Sequence, residues 1–321
     1  VSDNKLDKRH WPAILKTLVA GAAFFFIAYS IFKQIEAGKD AHIIDFDLIT
    51  IILVFLLMPV NWLVESIKWK QLTSVIQPLS LWSSLKSVLS GLSVSMMTPN
   101  RIGDFAGRIL ILSPENRAKG AMATLIGSCA QMLAIAAFGV LAFAFDTKLP
   151  DSFVFLKENY YTILIILIIL LLISIILFFC SGKISAKIRF RRSQVLQDFI
   201  DGAKIYNPRQ MLSFISISAL RYILFSSQFY LALWAFGVEL EAADGFCAIA
   251  FMYCFVTIIP SFALAEWGIR GSMALLFIQP LGGSAVAITA ASIAVWLINV
   301  GVPALLGTLA IVRTKTGTKQ I

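Results

Sequence analysis

Thr98-Pro99-Asn100-Arg101-Ile102-Gly103-Asp104-Phe105-Ala106-Gly107-Arg108 has a counterpart later in the chain, Ile259-Pro260-Ser261-Phe262-Ala263-Leu264-Ala265-Glu266-Trp267-Gly268-Ile269-Arg270. Each segment carries a helix-breaking proline, then an acid, then an arginine four residues past the acid. The proline-to-acid spacing differs by one residue between them. Each lies in sequence apolar enough for a bilayer, where a charge costs about 2.5–3.5 kcal/mol even on lenient insertion scales. Interrupted hydrophobic segments at matching positions of two halves are the sequence sign of a midplane transport site.

The surrounding composition sets the environment. Of 321 residues, 59% are hydrophobic and 14% charged, and the mean hydropathy is +0.84. Soluble domains carry about a quarter charged residues, so that class is excluded. Tyr161–Cys180 is an almost unbroken Ile/Leu run, long enough as a helix to cross a hydrocarbon core of about 30 Å. A β-barrel would instead show short alternating segments. The fold class is therefore all-α: a polytopic helical membrane protein.

Cys129, Cys180, Cys247 and Cys254 sit in apolar runs and read as small buried hydrophobes. His10 and His42 lie away from them, so no metal or other cofactor is expected. The net charge of +9 belongs to residues flanking the apolar runs, which the positive-inside rule explains without nucleic acid.

Six full spans can be read, at about 11–35, 46–69, 119–145, 161–180, 211–236 and 284–312. Between the second and third lies Leu81–Leu112, helical in pattern but broken at Pro99. Between the fifth and sixth lies Ala243–Gln279, broken at Pro260 and Gly268. Both are expected to be re-entrant helical hairpins, with their irregular backbone covered by neighbouring protein.

The loop 183–209 holds Lys183, Lys187, Arg189, Arg191, Arg192, Lys204 and Arg209 against Asp198 and Asp201. The N-terminus carries Lys5, Lys8 and Arg9, and the C-terminus Arg313, Lys315 and Lys319. Val238–Gly245 is acidic, with Glu239, Glu241 and Asp244. Both termini and the basic loop are thus expected in the cytoplasm, in an inner-membrane protein without a cleavable signal.

The chain then divides into a 1–10 tail, a first repeat over 11–145, an external loop 146–160, a second, inverted repeat over 161–312, and a 313–321 tail. Each repeat reads span, span, hairpin, span. Ile184, Ile188, Val195, Phe199 and Ala203 recur at roughly helical spacing in the basic loop. Two readings stand there: an amphipathic helix drawn to anionic headgroups, or a solvated connector.

Asp104 and Arg108 are spaced to share a helix face, as are Glu266 and Arg270. Arg101 has no obvious local partner, and its planar fork suits a phosphate. Arg221 lies about ten residues into its span, some 15 Å deep at 1.5 Å per residue. Gln228 follows on the same helix, and Glu65, Asn61, Lys68, Gln131 and Asn299 add polar groups at membrane depth. Each alone is explained by an interhelical hydrogen bond; together they suggest the lining of a hydrated cleft that favours an anion. The expected substrate-contacting residues are Arg101, Asp104, Arg108, Arg221, Glu266, Arg270, Glu65 and Gln228. Trp62, Trp69 and Trp82 are expected at membrane interfaces. No catalytic constellation is found: the apolar region has no histidine, and no Gly-rich phosphate loop opens a helix.

The Pro99-x-Arg101-x-Gly103-Asp104 pattern, the later Glu266-Trp267-Gly268, and Asn61-x7-Trp69 resemble the lysylphosphatidylglycerol synthase transmembrane-region family. This is the membrane half of multiple peptide resistance factor proteins, and the likeness covers about Leu15 to Val312. It implies movement of aminoacylated phosphatidylglycerol across the bilayer. The soluble aminoacyltransferase domain of those proteins is not in this sequence, so the synthase activity does not carry over. The resulting expectation is a flippase for an anionic or aminoacylated phospholipid, or for another lipid-phosphate. A membrane-embedded transferase or phosphatase acting on a lipid phosphate is the enzymatic alternative. A non-catalytic partner of a lipid-modifying enzyme is the third. Small-residue faces permit a homodimer.

Overall fold

The computed structural model describes residues 25, 29, 32, 47–96, 98, 101–145, 154–189, 193–259 and 263–316. All of the expected first span but residues 25, 29 and 32, both histidines, Pro99, Pro260 and the extreme C-terminal tail lie outside the described residues. Among the described residues every regular element is helical. In chain order these are α1 (Leu48–Thr73), α2 (Leu81–Met96), α3 (Gly103–Ile109), α4 (Arg117–Ala144), α5 (Val154–Glu158) and α6 (Tyr160–Lys187). They continue as α7 (Gln194–Asp201), α8 (Pro208–Ala235), α9 (Ala242–Ile258), α10 (Ala263–Ile278), α11 (Ala285–Trp296) and α12 (Val302–Thr316).

Local chemistry sets the helix ends. Asp47 caps α1 by accepting the Ile49 amide at 3.0 Å. Asn207 and Gln210 form a reciprocal capping box at α8, with Pro208 in the first turn. Pro59 lies inside α1 without ending it, as membrane helices allow when neighbours satisfy the freed backbone.

Five described helical segments are long and apolar enough to cross a membrane: Leu48–Thr73, Pro114–Ala144, Tyr160–Lys187, Pro208–Ala235 and Ala285–Leu309. They match the second to sixth spans expected. Only 6% of the most apolar window of α6 is buried, so this helix lies at the edge of the bundle with Ile and Leu side chains outward. A helix apolar on every face and unburied by protein belongs against lipid.

The interrupted segments become helix pairs. The first is α2 with α3, the second α9 with α10, and in each pair the two helices pack on each other. Gly103 and Gly107 let α3 lie directly on α2. A Cβ on Gly107 would strike the Ser90 carbonyl and the Gly91 backbone, and one on Gly103 the Val94 carbonyl. This is the small-xxx-small packing of membrane helices. Gly268, in contrast, is a buried interior residue of α10 and not a break. A glycine alone weakens a helix only slightly where packing supports it.

Packing between the halves is reciprocal. α1 lies along α8 at the centre. α2 packs on α12, where a Cβ on Gly307 would meet the Leu89 carbonyl and Ser93 donates to the Ala304 carbonyl. α9 packs on α4, with Cys254 against Gly139 and donating to the Ile135 carbonyl at 3.4 Å. All four cysteines are free and half-buried.

The basic loop departs from a continuous amphipathic helix. α6 ends at Lys187, Ile188 is extended, and Ser193 caps the short α7 by accepting the Leu196 amide. Val195 and Leu196 are exposed, while Ala203 is buried in the turn beyond α7. The break falls where a cap residue offers the backbone another route.

Candidate functional site

The charged residues converge from α1, α3, α8 and α10. Glu65, on the buried face of α1, is the hub. Its carboxylate holds Lys68 at 2.8 Å, Arg108 at 2.8 Å and Arg221 at 3.2 Å. Arg108 also donates to Asp104 at 2.9 Å, the pair expected from their spacing on α3. Gly91 on α2 makes room for both, since a Cβ there would collide with Asp104 Oδ1 and Arg108 Cγ. Lys68 turns its remaining capacity to Ser218 Oγ at 3.2 Å.

Three of these arginines, Arg108 buried and Arg221 and Arg270 half-buried, lie over aromatic rings. Arg108 is 5.5 Å from the Trp69 ring centroid, Arg221 5.3 Å from Trp62, and Arg270 5.6 Å from Tyr253. This is cation–π geometry, which gains strength away from water. Trp62 and Trp69 are therefore buried floor residues and not interface markers; of the three tryptophans expected at interfaces, Trp82 is the exposed one. A tryptophan on the face of α1 that carries Glu65 has to follow that face inward.

The second centre is Glu266. It pairs with Arg270 at 3.0 Å, as the sequence spacing predicts. It also accepts a forked pair of bonds from Arg101, including one from Nε at 3.0 Å. Arg101 thus has a partner, from the other half of the chain, 165 residues away. Its backbone takes φ of 55°, uncommon outside glycine and costly by about 1–3 kcal/mol. Its side chain is 47% exposed, whereas that of Glu266 is 7% exposed. Arg101 therefore stands at the outer boundary of the charged cluster.

A chain of amides continues from Arg221. Its Nε donates to Asn61 Oδ1 at 3.0 Å, and its NH1 to Gln131 Oε1 at 3.4 Å. Asn61 reaches Asn299 at 3.5 Å, Asn299 donates to Gln228 at 2.7 Å, and Gln228 donates to the Val54 carbonyl at 2.7 Å. Asn299 sits in a π-helical turn, Leu297–Gly301, between α11 and α12. Such turns add a residue to a helix and re-aim a side chain.

The expectation of an open, hydrated cleft is not what these groups form. Glu65, Lys68, Asn61, Gln228 and Asn299 are all buried; Glu65 pairs with Lys68, Asn299 bonds both Asn61 and Gln228, and Arg221 joins the two sets. Bare polar atoms in an apolar interior are too costly, so the groups close on themselves. All eight expected site residues belong to one region, with Gln228 joined through amides and not by a charge. Ser218, Tyr253 and the π turn carry no sequence signal beyond ordinary helix content. A separate cavity of about 540 Å³ lies between α4, α8 and α9, lined mainly by apolar residues such as Phe138, Tyr222 and Phe246.

The profile of the family described as Lysylphosphatidylglycerol synthase TM region matches residues 13–307. No curated protein matches the chain. The match spans nearly the whole chain, and five helical segments are of membrane-crossing length. This integral membrane protein therefore belongs to the lysylphosphatidylglycerol synthase transmembrane-region family.

Proposed function

We propose that the protein is a lipid flippase, guiding a phosphate-bearing headgroup through the charged region while the acyl chains remain in lipid. The observation that carries this reading is the Arg101–Glu266 ion pair, which ties the two interrupted helix pairs together across the halves. A half-exposed arginine on a strained backbone, backed by buried charge, is arranged to meet a phosphate. Arg108 and Arg221, each held over an indole and against Glu65, would receive the phosphate deeper in.

The two helix pairs would act as re-entrant hairpins, and the two halves as an inverted repeat. The reciprocal packing of α2 on α12 and of α9 on α4 supports that relation. Rocking of one half against the other would open the Arg101–Glu266 contact and uncover the Glu65 hub. The basic loop and both termini would face the cytoplasm, with the loop held to anionic headgroups.

The test is a headgroup-accessibility assay in proteoliposomes with fluorescent phospholipids. Wild-type protein should move lipid, and folded Arg221→Gln and Arg101→Gln variants should not. Undiminished movement by both folded variants would refute the assignment.

A further inference from the structure

We infer that this site selects lipids whose headgroup is net negative over lipids whose headgroup is net positive, lysylated phosphatidylglycerol included. The inference rests on the flippase reading and narrows its substrate class.

The reasoning is one of charge balance. Among the described residues, the ion-paired groups of this region are five cations, Lys68, Arg101, Arg108, Arg221 and Arg270, and three carboxylates, Glu65, Asp104 and Glu266. Five against three leaves two positive charges in excess. Uncompensated charge away from water is expensive, so a ligand that reduces the excess is favoured and one that adds to it is opposed. A phosphodiester headgroup with one negative charge halves the excess, and a phosphomonoester dianion cancels it. A lysyl headgroup carries two ammonium groups against one phosphate and raises it.

Each carboxylate is also already engaged. Glu65 serves three cations, Asp104 holds Arg108, and Glu266 holds Arg101 and Arg270. An entering ammonium would have to displace a cation already paired at Glu65 or Glu266, or share Asp104 with Arg108. An entering phosphate has an easier exchange: Arg101 can turn to it while Arg270 still neutralises Glu266. Donor capacity is in surplus too, because among the described residues the buried Nε of Arg270 has no acceptor. An anion's oxygens are what such a donor lacks.

The experiment uses the full chain, purified in detergent, with labelled phosphatidylglycerol displaced by phosphatidic acid, unlabelled phosphatidylglycerol or lysyl-phosphatidylglycerol. The same lipids are then followed for movement in proteoliposomes. Phosphatidic acid and phosphatidylglycerol should displace the label at concentrations about tenfold or more below lysyl-phosphatidylglycerol, a ratio equal to one decade in Kd. Arg101→Gln should narrow that gap. Arg101→Lys, which keeps the charge and loses the fork, should retain it and so separate charge from folding defects. Equal or tighter binding of lysyl-phosphatidylglycerol, or its preferred movement, would overturn the inference while leaving the flippase reading in place. The expected binding order without movement of any lipid would overturn the flippase reading and uphold the selectivity. No displacement by any of the three would defeat both.

Discussion

Replacing Glu65 by Gln should damage the protein far more than replacing Lys68 by Met, although the two side chains are bonded to each other at 2.8 Å. The asymmetry follows from the partner count. Glu65 neutralises Lys68, Arg108 and Arg221, and its side chain is 4% exposed. Without its charge only Arg108 keeps a carboxylate, Asp104, and the buried Lys68 and half-buried Arg221 are left unpaired and mutually repelling. Removing one partner of a buried ion pair costs about 3–5 kcal/mol. Lys68, in contrast, serves one carboxylate and one hydroxyl. Methionine fills much of the same volume, Glu65 keeps two arginines, and the loss is about 1 kcal/mol for the orphaned Ser218 contact. The two variants should therefore differ by about 2 kcal/mol or more, roughly a thirtyfold difference in the unfolding equilibrium. Denaturing-detergent titration of the purified protein in mixed micelles, followed by circular dichroism, measures that difference. A Lys68→Met variant as unstable as Glu65→Gln would refute the idea that Glu65 is the hub.

Gly107→Ala should destabilise the protein by about 1–3 kcal/mol, because its Cβ meets immovable backbone at Ser90 and Gly91. Gly301→Ala, whose nearest neighbour is Leu297 Cδ2 at 3.6 Å, should change stability by less than about 0.5 kcal/mol in the same titration. Asn299→Ala should cost about 1–3 kcal/mol by leaving buried Gln228 Oε1 without its donor. It should also slow lipid movement beyond that loss, since Asn61, which orients Arg221, is then no longer held by Asn299; stability and transport measured on one preparation separate the two effects.

Several parts of this arrangement were legible in the residues because they are local. Hydropathy over about 20 residues marks spans whatever surrounds them. Pro99 and Pro260 fall in sequence between the two helices of each pair, whereas Pro59 is carried within α1. Asp104 with Arg108 and Glu266 with Arg270 pair as spaced, since a helix places residues four apart on one face. In the basic loop the helical periodicity is met only over Gln194–Asp201, because periodicity alone does not register the cap at Ser193. Gly268 was over-read as a break for a related reason: glycine's helix penalty is small enough for tertiary packing to override.

The sequence by itself thus determined a helical membrane protein and the local pairing of Asp104 with Arg108 and of Glu266 with Arg270. Only the tertiary structure decided which charges meet. Arg101 finds Glu266 across 165 residues, Arg108 and Arg221 both find Glu65, and Trp62 and Trp69 turn from expected interface residues into the buried floor beneath two arginines. Helical periodicity assigns a side chain to a face of its own helix. Which other helix covers that face depends on how all of them pack, on glycines such as Gly91 and Gly107 that let backbones close, and on the need of every buried charge for a partner.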